Sequence, residues 1–498
     1  MKLDFKNFSQ ILNYWAVETP EKIFVTDILS GKSCSYADFN KLVNSTTRFL
    51  KKHGVGRGDI VSLCLRNSLE FLVAYFATIR LGAIINPIPI SVADKELAAN
   101  LDFSKPKLSL LEVPSTKIAK RHKIFSVKFQ GKGAFLKILK NFSDKKLSIS
   151  LDEDKPVCLY YSSGTTAKPK GIIFSHRGII NIISATCRWF GHNSNSRHLA
   201  ILPMAHTSVM HYSVLPVLYV GGSFVFAENF IKIRKDFWRI IRDYKVNYVQ
   251  TVPTIILMIL SITYSNYHRS RLILPYIACG SAPLPEKNKK LFENRFGLRL
   301  ANLYGLSEAG HLASDYPFEK GQKPGSIGRP LDIVDLKVFD DQGREAPVGQ
   351  TGEIAVKTPG FFLGYHKDKK LYESSFKNGY FCTGDLAWKD NSSILYYVGR
   401  KKDLIIKGGV NISPNLIDEV LVKHPAVAEA ASVGKPDELF GEVAKSFVVL
   451  KFGRLVSQKE LFDYCRRELG EFKSPSEIEF IKEIPKTASG KILRRKLK

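Results

Sequence analysis

The sequence predicts an α/β protein of at least two domains, and three observations lead to this prediction. The chain has 498 residues, more than the roughly 250–300 residues at which single hydrophobic cores stop growing. A helical run from Ser68 to Arg80 is followed by a β-branched run from Ala83 to Pro87. This alternation is typical of βα units and a largely parallel sheet. Near Gly399 the pattern changes, and the rest of the chain indicates a small α+β unit.

This C-terminal unit carries its own start signals for helices. Ser413 followed by Pro414 predicts a helix with proline at its first position, and Ser457 predicts the start of a second helix through Glu468. The strand-like run AVAEAASVG lies between them. Further upstream, the most apolar window, Val249 to Ile262, is shorter than the roughly 20 residues of a membrane span, so we expect a buried helix there.

Composition excludes several classes of protein. Hydrophobic residues make up 44% of the chain and charged residues 24%, which is typical of globular proteins rather than disordered, fibrous or membrane-embedded ones. The seven cysteines are odd in number and form no C-x-x-C pair, so they indicate reduced thiols in a cytoplasmic protein. No export signal is visible at the N-terminus.

The charge balance favours an anionic partner. The net charge is +27, which suits a nucleotide, a nucleic acid, an anionic lipid or an acidic protein. Much of it lies between Lys105 and Lys146. That segment is either a solvated surface or a docking face for an acidic partner or a membrane, and the sequence leaves both interpretations open.

One loop predicts a phosphate-binding site. In VCLYYSSGTTAKPKGIIFSH an apolar strand leads into a loop of small and hydroxylated residues, and another apolar strand follows. Such a loop exposes backbone N–H groups, and its two lysines add charge-assisted hydrogen bonds to a polyphosphate. The Walker spacing is absent. The residues we expect to hold phosphate are Ser162, Ser163, Gly164, Thr165, Thr166, Lys168 and Lys170.

Further segments join this loop in a fixed order. They are LPMAHTS at 202–208, CGSAPL at 279–284, NLYGLSEAG at 302–310, FCTGDLA at 381–387, GRKKDLIIKGGVNISP at 399–414 and PKTASGKILRRKL at 485–497. Together they resemble the adenylate-forming superfamily of acyl-CoA synthetases, adenylation domains and luciferases. The resemblance implies a large N-terminal domain, residues 1–401, of layered α/β subdomains with a small β-barrel-like part. It also implies a small mobile α+β domain, residues 402–498.

The resemblance implies an ATP site as well. Asp385 suits the ribose, because one carboxylate can accept hydrogen bonds from both sugar hydroxyls; without the other motifs it is equally a turn carboxylate. Arg400 is expected beside the same sugar. Glu308 and Thr166 are expected to bind Mg²⁺, a cation that prefers oxygen ligands. The base and α-phosphate are assigned to Gly280, Ser281, Ala282, Pro283, Asn302, Leu303, Tyr304, Gly305 and Ser307.

Catalysis is assigned to Lys491 together with Thr166, Glu308 and His206. By resemblance, Lys491 lies between the acid and the α-phosphate, where a cation stabilises developing charge; the alternative is an exposed lysine of a basic tail. Asp403 is expected to be the hinge of the small domain. Gly408 and Gly409 are expected at a thiol tunnel, although a plain turn needs glycine equally.

The acid pocket is expected at His206, Val252, Gly280, Gly305, Ala309 and Gly310. A lone histidine in an apolar context such as His206 is otherwise a packed core residue. Domains that activate amino acids carry an aspartate near this histidine, and its absence from the MAHT segment argues against an α-amino acid. The small and apolar residues suit an aliphatic, fatty or aromatic acid.

The predicted function is ATP- and Mg²⁺-dependent activation of a carboxylic acid to acyl-AMP, followed by transfer to the thiol of CoA. The positive charge also suits the phosphopantetheine of a free, acidic acyl carrier protein, which is the nearest alternative. An alternative of another class is an inactive relative that binds nucleic acid or a membrane surface through its basic face. We expect no specific nucleic acid partner, and the sequence does not indicate an oligomeric state.

Overall fold

The computed structural model describes residues 4–112, 118, 120–131, 133–162, 170–264, 267–318, 323–487 and 491–497. Helices alternate with strands along most of this range. The predicted helix at Ser68 to Arg80 is observed at Leu69–Arg80, where the Ser68 side chain caps the first turn. The α-helices that lie within the described residues are Phe8–Glu18, Tyr36–Lys52, Leu69–Arg80, Asp94–Ser104, Phe135–Leu139, His176–Phe190, Thr207–Val209, Leu215–Val220, Phe230–Ile233, Phe237–Asp243, Pro253–Leu260, Glu286–Phe296, Lys369–Ser374, Pro414–Lys423 and Gln458–Lys473.

The largest sheet has a parallel centre and an antiparallel flank. Its described strands, in spatial order, are Asp335–Phe339, Gly352–Lys357, Tyr380–Lys389, Leu395–Arg400, Ser326–Pro330, Gly310–Ser314, Arg299–Leu306, Tyr276–Gly280, Tyr248–Thr251, Arg197–Ala200, Ser223–Phe226, Ile23–Asp27 and Ser33–Ser35. Phe376–Lys377 pairs beside Tyr380–Lys389. The strands from Arg299–Leu306 to Ile23–Asp27 run parallel, while residues 326–400 form the antiparallel, β-rich part of the large domain.

A second sheet packs its parallel strands against helices of the N-terminal half. Its described strands, in spatial order, are Gly364–Tyr365, Lys170–Ser175, Pro156–Ser162, Ile84–Pro87, Ile60–Cys64, Leu108–Leu111 and Ile124–Ser126. The two antiparallel strands Pro156–Ser162 and Lys170–Ser175 flank the predicted phosphate loop. One of the sequence predictions was wrong here: the apolar window at 249–262 is not one helix, because the strand Tyr248–Thr251 precedes the helix Pro253–Leu260.

The small domain has a hydrophobic core of its own, which begins at Ile405 and includes Leu421, Val448 and Leu461. Its sheet consists of Val410–Ile412, Ile405–Lys407, Gly441–Leu450 and Val427–Asp437, with Glu477–Phe480 beside Gly441–Leu450. The helices begin at Pro414 and Gln458, as predicted. Ser413 does not cap the first one, since its hydroxyl donates to the Val398 carbonyl at 2.7 Å. The boundary between residues 401 and 402 stays a prediction.

Four histidines lie in the interior of the large domain. His176, His198, His211 and His311 are each at most 3% exposed. Burial lowers the pKa of His176 to about 4 and the pKa of His211 and His311 to about 3; it also lowers the pKa of His198. All four imidazoles are therefore uncharged at neutral pH. Among the described helices, none has both the length and the apolar character required to cross a membrane.

Candidate active site

The candidate site lies where strands of the large sheet end. Tyr276–Gly280 and Arg299–Leu306 are parallel neighbours, so the residues at their carboxyl ends share one edge of the sheet. Tyr380–Lys389 and Leu395–Arg400 are antiparallel neighbours that place Asp385 opposite Arg400. The result is a cavity of about 320 Å³ between the two domains.

Half of the predicted nucleotide-binding residues of the large domain line this cavity, and two predicted residues from the small domain's side, Asp403 and Lys491, join them. Gly280 ends its strand beside it, and a Cβ there would lie 2.6 Å from the Leu303 carbonyl oxygen, so glycine is needed for the two strands to pair closely. The predicted residues that line the cavity are Ser281, Ala282, Pro283, Asn302, Leu303, Tyr304, Gly305, Asp385, Arg400, Asp403 and Lys491.

Asp385 is the most enclosed charged group of the site. It is 2% exposed, and its carboxylate accepts a hydrogen bond from the Tyr304 hydroxyl at 2.8 Å and an ion-pair contact from Arg400 Nε at 2.7 Å. Burial raises the pKa of this carboxyl group, and the positive charges of Arg400 and Lys491 act in the opposite direction. A carboxylate that has four acceptor positions keeps capacity for further donors.

Lys491 enters the cavity from the small domain. Its backbone N–H donates to Thr487 Oγ1 at 3.1 Å, and its carbonyl accepts from the Thr487 N–H at 2.8 Å. Lys486, in the same hairpin, pairs with Glu429 at 2.6 Å. Burial and the nearby Arg400 charge lower the pKa of Lys491 to about 8. Lys491 is partly buried and lines the cavity, and its catalytic role stays a prediction.

Glu308 lies within electrostatic range of Arg400 and of Lys170. The Tyr365 hydroxyl donates to Glu308 Oε1 at 3.1 Å, and the ammonium of Lys170 lies 5.7 Å from the centre of the Tyr365 ring. Burial raises the pKa of Glu308, while the charges of Arg400 and Lys170 oppose that rise. Since Lys170 closes the predicted phosphate loop, Glu308 is placed beside the end of that loop.

His206 is held in one orientation beside the site. Its Nδ1 accepts from the Ser208 backbone N–H at 3.1 Å and lies 2.8 Å from the Ser208 hydroxyl. Burial and the positive charge of Lys491 lower the pKa of His206 to about 4. The imidazole is therefore neutral, and it lies within electrostatic range of the predicted catalytic lysine.

Other predicted residues lie apart from the cavity. Val252 and Ala309 are buried, and Ser307 lies in the turn before the strand Gly310–Ser314. Gly408 and Gly409 form the tight turn between Ile405–Lys407 and Val410–Ile412, with φ of 53° and 81°. Their assignment to a thiol tunnel stays a prediction, because the turn alone explains both glycines.

Part of the phosphate loop falls outside the described residues. This applies to Ser163, Gly164, Thr165, Thr166 and Lys168, and to the side chain of Ser162. Their assignments to phosphate, catalysis and Mg²⁺ stay predictions. The strands on both sides of the loop are observed as predicted.

The sequence interpretation missed two tyrosines. Tyr397 lines the cavity, and its hydroxyl lies 3.5 Å from Asp385 Oδ1; Tyr365 holds Glu308. Tyr397 precedes the GRKKD segment on the strand that carries Arg400, which could have indicated it. Tyr365 is far from every motif in the sequence, and we find no sequence signal for it.

Comparison with known proteins identifies the relatives of this chain. Residues 12–366 match the AMP-binding enzyme family, and residues 416–491 match the AMP-binding enzyme C-terminal domain. The chain is 30% identical to the sulfoacetate–CoA ligase of Cupriavidus necator, covering 99% of this chain and 97% of the relative. It is also 30% identical to the long-chain-fatty-acid–CoA ligase of Bacillus subtilis, covering 100% and 95%.

One solved relative is known in two states. ATP-bound MatB from Rhodopseudomonas palustris is similar with a TM-score of 0.91, and apo MatB with a TM-score of 0.79. Both are 25% identical and cover 99% of this chain and 98% of theirs. Since the same protein is compared twice, the difference reflects conformation. The present structure is closer to the ATP-bound form.

Proposed function

We propose how the residues of this chain, which belongs to the AMP-binding enzyme family and is an acid–thiol ligase, divide its reaction. In the first half-reaction the carboxylate attacks the α-phosphorus of ATP, an acyl–O–P bond forms, and pyrophosphate leaves. In the second, a thiol attacks the acyl carbon, loses its proton, and AMP leaves. No bond to the protein is needed in either step.

The observation that supports this division most is that Lys491 of the small domain shares a buried cavity with Asp385 and Arg400 of the large domain. The acid and the α-phosphate are both anionic, so they repel each other until a cation lies between them. We assign that role to Lys491, with Asp385 and Arg400 holding the ribose. The low-dielectric surroundings strengthen the effect of the ammonium.

We propose that a magnesium ion binds beside Glu308. Mg²⁺ is bound through one or two carboxylates together with substrate phosphates, and Glu308 offers a carboxylate held through Oε1 by Tyr365. We propose Glu308 as the protein ligand, with Thr166 as its predicted companion in the phosphate loop. The bound ion would supply charge neutralisation on the phosphates.

The proposed hinge motion prepares the site for the second half-reaction. Asp403 lies in the short 3₁₀ turn Lys401–Asp403 between the two hydrophobic cores. Rotation about this turn would withdraw Lys491 and admit the thiol. We propose that residues 1–401 and 402–498 are the two bodies that move.

CoA is the proposed thiol substrate, because the relatives named above are CoA ligases. An acyl carrier protein carries the same phosphopantetheine arm, and the net charge of +27 would favour an acidic one. The two thiols share their chemistry, so an experiment must separate them.

The test combines two assays on the full-length protein. Carboxylate-dependent exchange of labelled pyrophosphate into ATP measures the first half-reaction, and thioester formation with CoA or with an acidic acyl carrier protein measures the second. We expect exchange with a subset of carboxylic acids and thioester formation with CoA. If no acid in a broad panel drives exchange while the protein is folded, the proposed reaction is wrong. Salt-sensitive binding of duplex DNA would then support the basic-surface alternative.

A further inference from the structure

One helix of the small domain, Pro414–Lys423, forms part of the wall of the cavity between the domains, and we call it the wall helix. Its spacing places the residues that line the cavity on one face of the helix. These residues are Pro414, Asn415, Asp418, Glu419 and Val422. The position of the wall helix relative to the large domain therefore determines the shape of the cavity.

The first turn of the wall helix is bound to the large-domain strand that carries Arg400. The Val398 carbonyl on this strand accepts a hydrogen bond from the Ser413 hydroxyl at 2.7 Å and another from the Asn415 side-chain amide at 3.3 Å. A Cβ at Gly399 would lie 3.1 Å from Ser413 Oγ, so glycine at this position allows the close approach. The N-terminal end of the wall helix is thus held against the large domain.

The C-terminal end of the wall helix is bound to the large domain by a lysine. Lys287 lies on the helix Glu286–Phe296, and its ammonium donates to the Lys423 carbonyl at 3.1 Å and to the Val422 carbonyl at 3.3 Å. The last carbonyls of a helix have no hydrogen-bond donor within the helix, and they carry the negative end of its dipole. A cation is therefore the group best suited to bind there.

The wall helix also holds the segment that carries Lys491. Arg494 follows Lys491 in this segment, and its Nη2 donates to Asn415 Oδ1 at 2.7 Å and to Asp418 Oδ2 at 2.6 Å. Its Nη1 donates to the Ser432 carbonyl. Asn415 thus binds the large domain through Nδ2 and the Lys491 segment through Oδ1. Contacts that fix the wall helix consequently fix the position of the Lys491 ammonium.

The contact of Lys287 belongs to one orientation of the two domains. Lys287 lies in the large domain and the two carbonyls that it binds lie in the small domain. The proposed rotation about Asp403 would therefore separate them. The observed orientation is closer to the ATP-bound form of MatB than to its apo form, with TM-scores of 0.91 and 0.79. The contact is thus present in the orientation that places Lys491 in the cavity.

Building on the proposed function, we infer that Lys287 is a positioning residue for adenylation, which holds the wall helix, and through it Lys491, in the orientation of the first half-reaction. Lys287 does not act on the substrates itself, since it binds only the end of the helix. Loss of its ammonium should shift the population towards the second orientation. The loss of such a cation at a helix end changes the equilibrium between the orientations by about 3- to 5-fold.

The rates of the two half-reactions report this equilibrium. Adenylation is proportional to the fraction of protein in the first orientation, and thioester formation to the fraction in the second. The ratio of the two rates is therefore proportional to the equilibrium constant, whichever orientation predominates. A variant that merely folds less well loses both rates in the same proportion, so its ratio is unchanged.

The test measures both rates on full-length variants. Pyrophosphate exchange with an accepted acid gives the first, and thioester formation from synthetic acyl-AMP and CoA gives the second. In Lys287→Ala the ratio of the first rate to the second should fall about 3- to 5-fold. Lys287→Arg keeps a cation at the helix end and should restore most of the ratio. Lys290→Ala removes an exposed lysine of the same helix and should keep the wild-type ratio.

The outcomes separate this inference from the function on which it rests. Thermal melting shows whether each variant is folded, and Lys287→Gln replaces the alanine variant if that one does not fold. An unchanged ratio in the folded variant overturns the inference while leaving the ligase intact. So does an equal fall of the ratio in Lys290→Ala or in Lys287→Arg. If no acid drives pyrophosphate exchange in the wild type, the proposed function is wrong, and the inference fails with it.

Discussion

The two sides of the candidate site are built in different ways. On the large domain, Asp385, Tyr304 and Arg400 are joined to one another by side-chain contacts on strands of the central sheet. On the small domain, Lys491 is held in its hairpin by Thr487, while Lys486 pairs with Glu429. In the reaction proposed above, the large domain binds the nucleotide and Lys491 moves with the small domain. On that proposal, mutations should separate binding from catalysis, because the two depend on different bodies.

The largest expected effect is that of Lys491→Ala. Loss of this cation should slow adenylate formation by at least about 10²–10³-fold, measured as pyrophosphate exchange. Thiol transfer from synthetic acyl-AMP should be nearly unchanged, because the proposed hinge motion withdraws Lys491 in that step. Lys496→Ala, an exposed lysine of the same tail, is the control and should behave as wild type. Equal losses in both half-reactions would reject the assignment.

The next effect is on nucleotide binding. Asp385→Asn keeps the shape of the side chain but weakens two charge-assisted hydrogen bonds to ribose, so kcat/KM for ATP should fall about 100-fold. Isothermal titration with ATP checks that the loss is in binding. Tyr304→Phe removes one hydrogen bond to Asp385, so its kcat/KM for ATP should fall by about 10-fold or less. If Asp385→Asn binds ATP normally, Asp385 is a structural carboxylate.

Asp403→Pro tests the boundary between the two bodies. Proline fixes φ and restricts the preceding residue, so we expect measurable adenylation and at least about 10-fold slower thioester formation. Asp403→Ala leaves the backbone free and is the matched control, with both steps close to wild type. Normal thioester turnover in the proline variant places the hinge elsewhere.

The smallest effect is a pH dependence. The pKa of Lys491 is lowered to about 8, so the ammonium is charged below that pH and neutral above it. We expect kcat/KM for adenylation to decline above pH 8 by about 10-fold per unit. In Lys491→Arg the guanidinium stays charged, so the decline should disappear even though the rate is lower. A decline of the same midpoint in both proteins would assign it to another group.

The sequence predicted the parts of the site that lie in contiguous motifs. Asp385, Arg400 and Lys491 each stand in a short segment with a clear chemical rationale, and the fold brings all three to one cavity. Asp385 and Arg400 lie opposite each other on antiparallel strands, and their roles, like that of Lys491, were implied by the resemblance of whole motifs to a known superfamily.

What the sequence could not predict are contacts between distant segments. Tyr365 reaches Glu308 across 57 positions of the chain, and Tyr212 meets Gly305 through tertiary packing. Ser413 is a related case. Its residue type and position suit a helix cap, but its hydroxyl donates a hydrogen bond to the Val398 carbonyl on a neighbouring strand instead. Such side-chain partners depend on the assembled structure, because a serine hydroxyl can form equally good hydrogen bonds with several nearby backbone groups.

The four interior histidines make the stability of the fold depend on pH, and they set a lower limit to the pH that the fold withstands. An unfolded chain binds protons at these rings near pH 6.5, whereas in the folded protein the pKa of His211 and His311 is about 3. Below pH 6.5 the unfolded state therefore binds protons at these rings, whereas the native state does not. The free energy of unfolding then declines by up to about 1.4 kcal/mol per pH unit for each ring. We therefore expect the free energy of unfolding to fall as the buffer is acidified below pH 6.5.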